Sequence, residues 1–179
     1  MTVKLIALLF CFVDFLNAQT FQHSYAIVIG IRTYEFQKEL PNAQADAEAI
    51  AAFLKNQHYE VTELYNQGAR RAAIIDAIDN VALLVNEHDR VVFFFAGHGY
   101  TETRGGQEWG YIVPFDGKSR TTSSLIGMEE LRTESERMGK AGHQLFLLDS
   151  CYGGSIGRDS VGGVDPRVPD YLLQPLFRD

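Results

Sequence analysis

The stretch QLFLLDSCYGG, residues 144–154, decides how the rest of the chain is read. An apolar run from Leu145 to Leu148 breaks into an acid, a small hydroxyl, a cysteine and two glycines. That pattern predicts a buried strand ending in a loop that carries Cys151. Upstream, DRVVFFFAGHGY at residues 89–100 repeats the design, with apolar residues from Val91 to Ala96 opening into Gly97, His98 and Gly99. If the two runs are parallel neighbours, their tips lie about 4.8 Å apart, and the His98 imidazole and the Cys151 thiol face one small volume. The reactive crevice of an open parallel sheet lies beyond the carboxyl ends of its strands, where both residues fall.

Outward from this pair, YAIVIGI at residues 25–31 is β-branched and apolar, the pattern of a strand covered on both faces. Pro41 and Asn42 open a helix, with Asn42 as N-cap and Ala43, Ala47, Ile50, Ala51 and Leu54 as its apolar stripe. EVTELY at residues 60–65 alternates and suits a peripheral strand, and a second helix is predicted over residues 70–86, where Ile74, Ala77, Ile78, Val81 and Val85 recur. Such alternation means right-handed crossovers and a parallel sheet with helices on both faces. After His98, TETRGGQ at residues 101–107 is expected as a loop and WGYIV at residues 109–113 as a short hairpin-like strand stopped by Pro114. Residues 116–124 are turn material, and a third helix over residues 127–139 returns the chain to Gln144. Trp109 and the aromatics Phe93, Phe94 and Phe95 are expected in the core. The fold class is therefore α/β, a three-layer sandwich around a mainly parallel central sheet. Residues 22–156 form one domain, residues 1–18 stand apart from it, and residues 157–179 are a Gly- and Pro-rich tail.

A hydrophobic content of 46% supports a real core, and a net charge of −7 argues against a nucleic-acid surface, which needs clustered Lys and Arg. Lys4 precedes an apolar run from Leu5 to Val13 that is too short to span a bilayer stably, and Leu16-Asn17-Ala18 offers a cleavage site. A signal peptide over residues 1–18 would make the protein secreted or periplasmic; without that role the segment packs on the domain and the protein is cytoplasmic. Cys11 lies inside this segment, so a processed chain keeps Cys151 alone and forms no internal disulfide. His23, His58, His88 and His143 lack metal-ligand spacing, and surface or capping roles are expected for them.

A thiol must become a thiolate to attack a carbonyl, and a neighbouring imidazole favours that both by charge and by taking the proton. In amide cleavage the same ring then protonates the leaving nitrogen. Each motif alone has a plain alternative, a buried cysteine or a Gly-His-Gly turn. Together they stand roughly 50 residues apart, the separation of histidine and cysteine in caspases. With YAIVIGI at 25–31, LPNAQADAEAI at 40–50, FFFAGHG at 93–99, YIVPFD at 111–116 and LLDSCYGG at 147–154, the chain resembles the caspase-like cysteine peptidases of peptidase family C14. Within them it looks closer to metacaspases and their bacterial relatives than to animal caspases.

The resemblance implies a cysteine endopeptidase with His98 and Cys151 as catalytic pair and the backbone N–H groups of Gly99 and Cys151 as oxyanion site. It implies a P1 pocket lined by Asp46 and Asp149, hence polypeptide substrates with Arg or Lys at P1. Asp46 could instead complement the helix dipole, and Asp149 could cap a loop. A catalytically weak module that binds peptides or assembles with partners is the alternative function. Ala43 and Ala96 stand where many metacaspases have cysteine and serine. No cofactor is required; family calcium activation would draw on acids near Glu129 and Glu130, but Arg158 stands where a further acid is expected. Family members continue into a smaller region that adds two strands. With only residues 152–179 after Cys151, that part is expected to be truncated, or a partner completes the sheet, or full activity is not reached.

Overall fold

The computed structural model of the chain describes residues 21–150. In chain order these form β1 (Ser24–Gly30), α1 (Ala43–Asn56), β2 (Glu60–Tyr65), α2 (Arg71–Leu84), β3 (Arg90–Ala96), β4 (Gly99–Arg104), β5 (Gln107–Ile112), β6 (Ile126–Gly127), α3 (Met128–Arg137) and β7 (His143–Asp149). The strands β2, β1, β3 and β7 lie in that order in one parallel sheet. Gly30 pairs with Ala96 and Ala96 with Asp149, so three carboxyl ends finish level with one another.

Alternation along β1 and β3 splits the core in two. Ile27, Ile29, Phe93 and Phe95 point to one face, where Ile74, Ile78, Val81, Leu131 and Met138 of α2, α3 and the α3 end cover them. Ala26, Val28, Val92 and Phe94 point to the other, against Ala43, Ala47, Ala51 and Leu54 of α1. This is the expected three-layer α/β sandwich, and Phe93, Phe94 and Phe95 are core residues as expected. At about 1.5–3 kcal/mol per fully buried large apolar side chain, these central strands hold much of the stability.

Asp89, wholly buried, fastens the amino end of the sheet. It accepts the His23 amide and Nδ1–H and the Asn86 amide, each at 3.0 Å. Burial would raise its pKa, but the Asn86 and His23 donors together hold the carboxyl below its usual range.

Five local expectations are corrected. Residues 101–107 are not a loop: they contain most of β4, which pairs antiparallel with β5 across a turn at Gly105 (φ 58°) and Gly106 (φ 81°). Both turn residues need positive φ, as the two-residue hairpin turn of this hand demands. Trp109 is not core; in this outlying hairpin it is 40% exposed. Asn42 precedes α1 but makes no side-chain cap, because its own φ −93° and ψ −23° are helical and not the extended geometry that aims a cap. The second helix is α2, shorter than expected at both ends, its carboxyl end set by an extended Val85. Finally, β7 is not buried on both faces. Phe146 and Leu148 pack on the α2 and α3 side, with Phe146 stacked on Phe93 at 5.2 Å, whereas Leu145 and Leu147 are 42% and 41% exposed. Those two share a face with Val92 and Phe94, but α1 does not reach across to cover them.

Candidate active site

The site is built where β3 ends. The Ile31 amide donates to the Ala96 carbonyl at 2.9 Å and the Gly97 amide to the Asp149 carbonyl at 3.2 Å, which ties together the carboxyl tips of β1, β3 and β7. His98 follows one residue later, half-buried. Its Nε2 lies 2.9 Å from the backbone carbonyl of Lys38. A carbonyl only accepts, so Nε2 carries the proton, and in the neutral ring Nδ1 is left as the basic atom.

The His98 backbone is held from the same side, its amide donating to the Tyr34 hydroxyl at 2.7 Å. The two rings lie 4.9 Å apart, tilted by 43°. Burial pushes the Tyr34 phenol well above its ordinary pKa, so the hydroxyl stays protonated at any physiological pH. A Cβ on Gly97 would lie 2.6 Å from both the Tyr34 hydroxyl and Phe95 Cζ, closer than any real contact, which explains a glycine before the histidine.

Tyr34 and Lys38 belong to the segment between β1 and α1, and that segment is braced. Asn66 Oδ1 accepts the amides of Arg32 and Thr33 at 2.9 and 3.0 Å, the Glu35 amide donates to the Phe115 carbonyl at 3.0 Å, and the Leu40 amide to the Arg32 carbonyl at 2.8 Å. Gln37 Nε2 donates to the Gly117 carbonyl at 3.3 Å while its Oε1 accepts from Ser119 Oγ at 2.9 Å.

Gly99 opens β4 opposite Ile112. The Val113 amide donates to the His98 carbonyl at 2.9 Å, which makes Gly99 and Ile112 a pair without mutual hydrogen bonds. The Gly99 N–H therefore points away from β5, not into the ladder. Asp149 is exposed at the tip of β7. Asp46, also exposed, sits in the first turn of α1, and the next residue, Ala47, places its Cβ only 2.5 Å from where a Cβ on Gly30 would stand. Gly30, Ala96 and Asp149 run across the sheet in register, so Asp46, His98 and Asp149 share its carboxyl edge. Cys151 lies outside the described residues; it stands two positions after Asp149, as His98 stands two after Ala96.

A sequence model of the caspase domain matches residues 23–171. The chain belongs to the caspase domain family. No curated protein matches this caspase domain. Among solved structures, a protein of Geobacter sulfurreducens is similar to it with a TM-score of 0.64 and 24% identity, over 75% of this chain and 52% of that one. The likeness is one of fold, and this caspase domain spans about half the length of that chain.

Two contributors escaped the sequence reading. Lys38 acts through its backbone carbonyl, which no side-chain pattern reveals. Tyr34 could have been noticed as the aromatic residue just past the carboxyl end of the first strand. For calcium, the acids near the third helix do not fit: Glu129 pairs with Arg132 and Glu130 with Arg71, and no three His, Cys, Asp or Glu residues converge among the described residues. None of the described helices is long and apolar enough to cross a membrane.

Proposed function

We propose that this caspase domain is a cysteine endopeptidase in which Cys151 is the nucleophile and His98 the acid–base, cleaving after Arg or Lys. The observation that carries this is the His98 ring, tied at Nε2 to the Lys38 carbonyl at the level of the strand tip from which Cys151 follows. Nδ1 takes the thiol proton, and the resulting imidazolium stabilises the thiolate. The sulfur attacks the scissile carbonyl, and the oxyanion is met by the N–H groups of Gly99 and Cys151. His98 then returns its proton to the departing amine, and water releases the acyl group with the ring again acting as base. Asp46 and Asp149 supply two negative charges at the same edge for a basic P1 side chain, and the planar fork of Arg suits a carboxylate best.

A panel of peptides differing only at P1 tests this. Wild type should cleave after Arg and Lys and not after Asp, and Cys151→Ala should cleave none of them. Cleavage confined to Asp would overturn the acidic pocket. A second reading, a weakly catalytic module completed by a partner, draws on the exposed Leu145 and Leu147 face of β7. It predicts no turnover by the isolated chain and turnover once that face is covered.

A further inference from the structure

Tyr34 touches His98 in two ways, through the amide and through the ring, and the chain is shaped around that contact. The hydroxyl accepts the His98 N–H at 2.7 Å, the rings lie 4.9 Å apart, and Gly97 leaves room that any Cβ would close. Without this bond the His98 amide would have no partner from β5, since it precedes the first paired residue of β4. The backbone between Ala96 and Gly99 would then be held only by the Gly97 amide on the Asp149 carbonyl and the Val113 amide on the His98 carbonyl. Rotation there would swing the imidazole away from the Lys38 carbonyl, because the ring is fixed by one hydrogen bond on an exposed side.

We propose that Tyr34 is a positioning residue, its hydroxyl holding the His98 backbone so that Nε2 meets the Lys38 carbonyl and Nδ1 faces the nucleophile. The inference rests on the endopeptidase reading above. It assigns Tyr34 no proton transfer: the phenol accepts one hydrogen bond and keeps its own proton throughout. Loss of the hydroxyl therefore acts on the orientation of His98 and on the acidity of the Cys151 thiol, and leaves substrate binding alone.

The test is the rate of Cys151 alkylation by iodoacetamide against pH, read at the Cys151 peptide by mass, together with kcat and KM on an Arg-P1 peptide, all on the full chain. Tyr34→Phe keeps the ring and removes the acceptor. The expected result is a kcat lower by about tenfold or more with KM within twofold of wild type, and an alkylation profile moved toward that of His98→Ala. A melting midpoint that falls while kcat and the alkylation profile superimpose on wild type overturns the inference and leaves a structural role. If Tyr34→Phe does not fold, 3,5-difluorotyrosine at position 34, nearly isosteric and a weaker acceptor, should move kcat and the profile the same way by a smaller factor; no movement overturns the proposal. If His98→Ala itself leaves the Cys151 profile unchanged, the endopeptidase reading fails and this inference falls with it. A changed His98→Ala profile beside an unchanged position-34 profile removes this inference alone.

Discussion

At the scale of single residues, the proposed chemistry turns on which nitrogen of His98 carries the proton. The Lys38 carbonyl settles that, and it does so through a backbone atom held by the braces at Asn66, Phe115 and Gly117. Gly97 is the residue that lets Tyr34 reach this backbone. Gly97→Ala must displace both the Tyr34 hydroxyl and the Phe95 ring, each 2.6 Å from the added methyl, at a cost of about 1–3 kcal/mol typical of overpacking. Urea unfolding should show that loss, accompanied by reduced peptide cleavage; an unperturbed variant would mean the segment yields freely. His98 and Gly99 could be singled out from sequence because a histidine between glycines at a strand end is chemically distinctive, whereas Asp46 and Asp149 enter only through the family resemblance. The Lys38 carbonyl could not, since every residue has one, and only folding brings it to the ring.

At the scale of elements, β7 is half core and half surface. Phe146 stacks on Phe93 inside the sheet while Leu147, one residue on, is 41% exposed. Phe146→Ala should therefore cost about 3 kcal/mol or more, and Leu147→Ala less than about 1 kcal/mol, by equilibrium unfolding of the isolated chain. A large loss at Leu147 would show that its face is covered in solution. The apolar runs of β1 and β3 were legible because strands buried on both faces have no polar period to confuse. The run in β7 looked the same, but its burial is decided by whether a helix or strand lies beyond it, which local pattern does not encode. The polar β4 was hidden for the opposite reason: GYTETR has little to bury, and its pairing with β5 is driven by the Gly105–Gly106 turn.

At the scale of the whole molecule, the two ends of the parallel sheet do different work. The carboxyl ends present Asp46, His98 and Asp149, while the amino ends are fastened by the buried Asp89 to β1 and to the close of α2. Because Asp89 titrates lower in the folded chain than its usual 3.8, its contribution is complete above that pH and is lost as pH falls through the folded value. Asp89→Asn should be less stable than wild type by about 2 kcal/mol near neutrality, and the gap should narrow below pH 3.8. A gap that stays constant into acid would mean the carboxylate charge is not what holds the three donors. The parallel sheet with helices on both faces follows from alternating strands and helices with right-handed crossovers, whereas the strand order and the pairing of β3 with β7 do not, because that rule leaves open which strands are neighbours. Everything functional then depends on whether His98 activates Cys151. The direct measurement is covalent labelling of the intact protein by a peptidyl fluoromethyl ketone with Arg at P1, followed by mass analysis of the Cys151 peptide. Labelling of Cys151 in wild type, slowed at least a hundredfold in His98→Ala, is the predicted result; equal labelling of the two proteins, or none at Cys151, would contradict it.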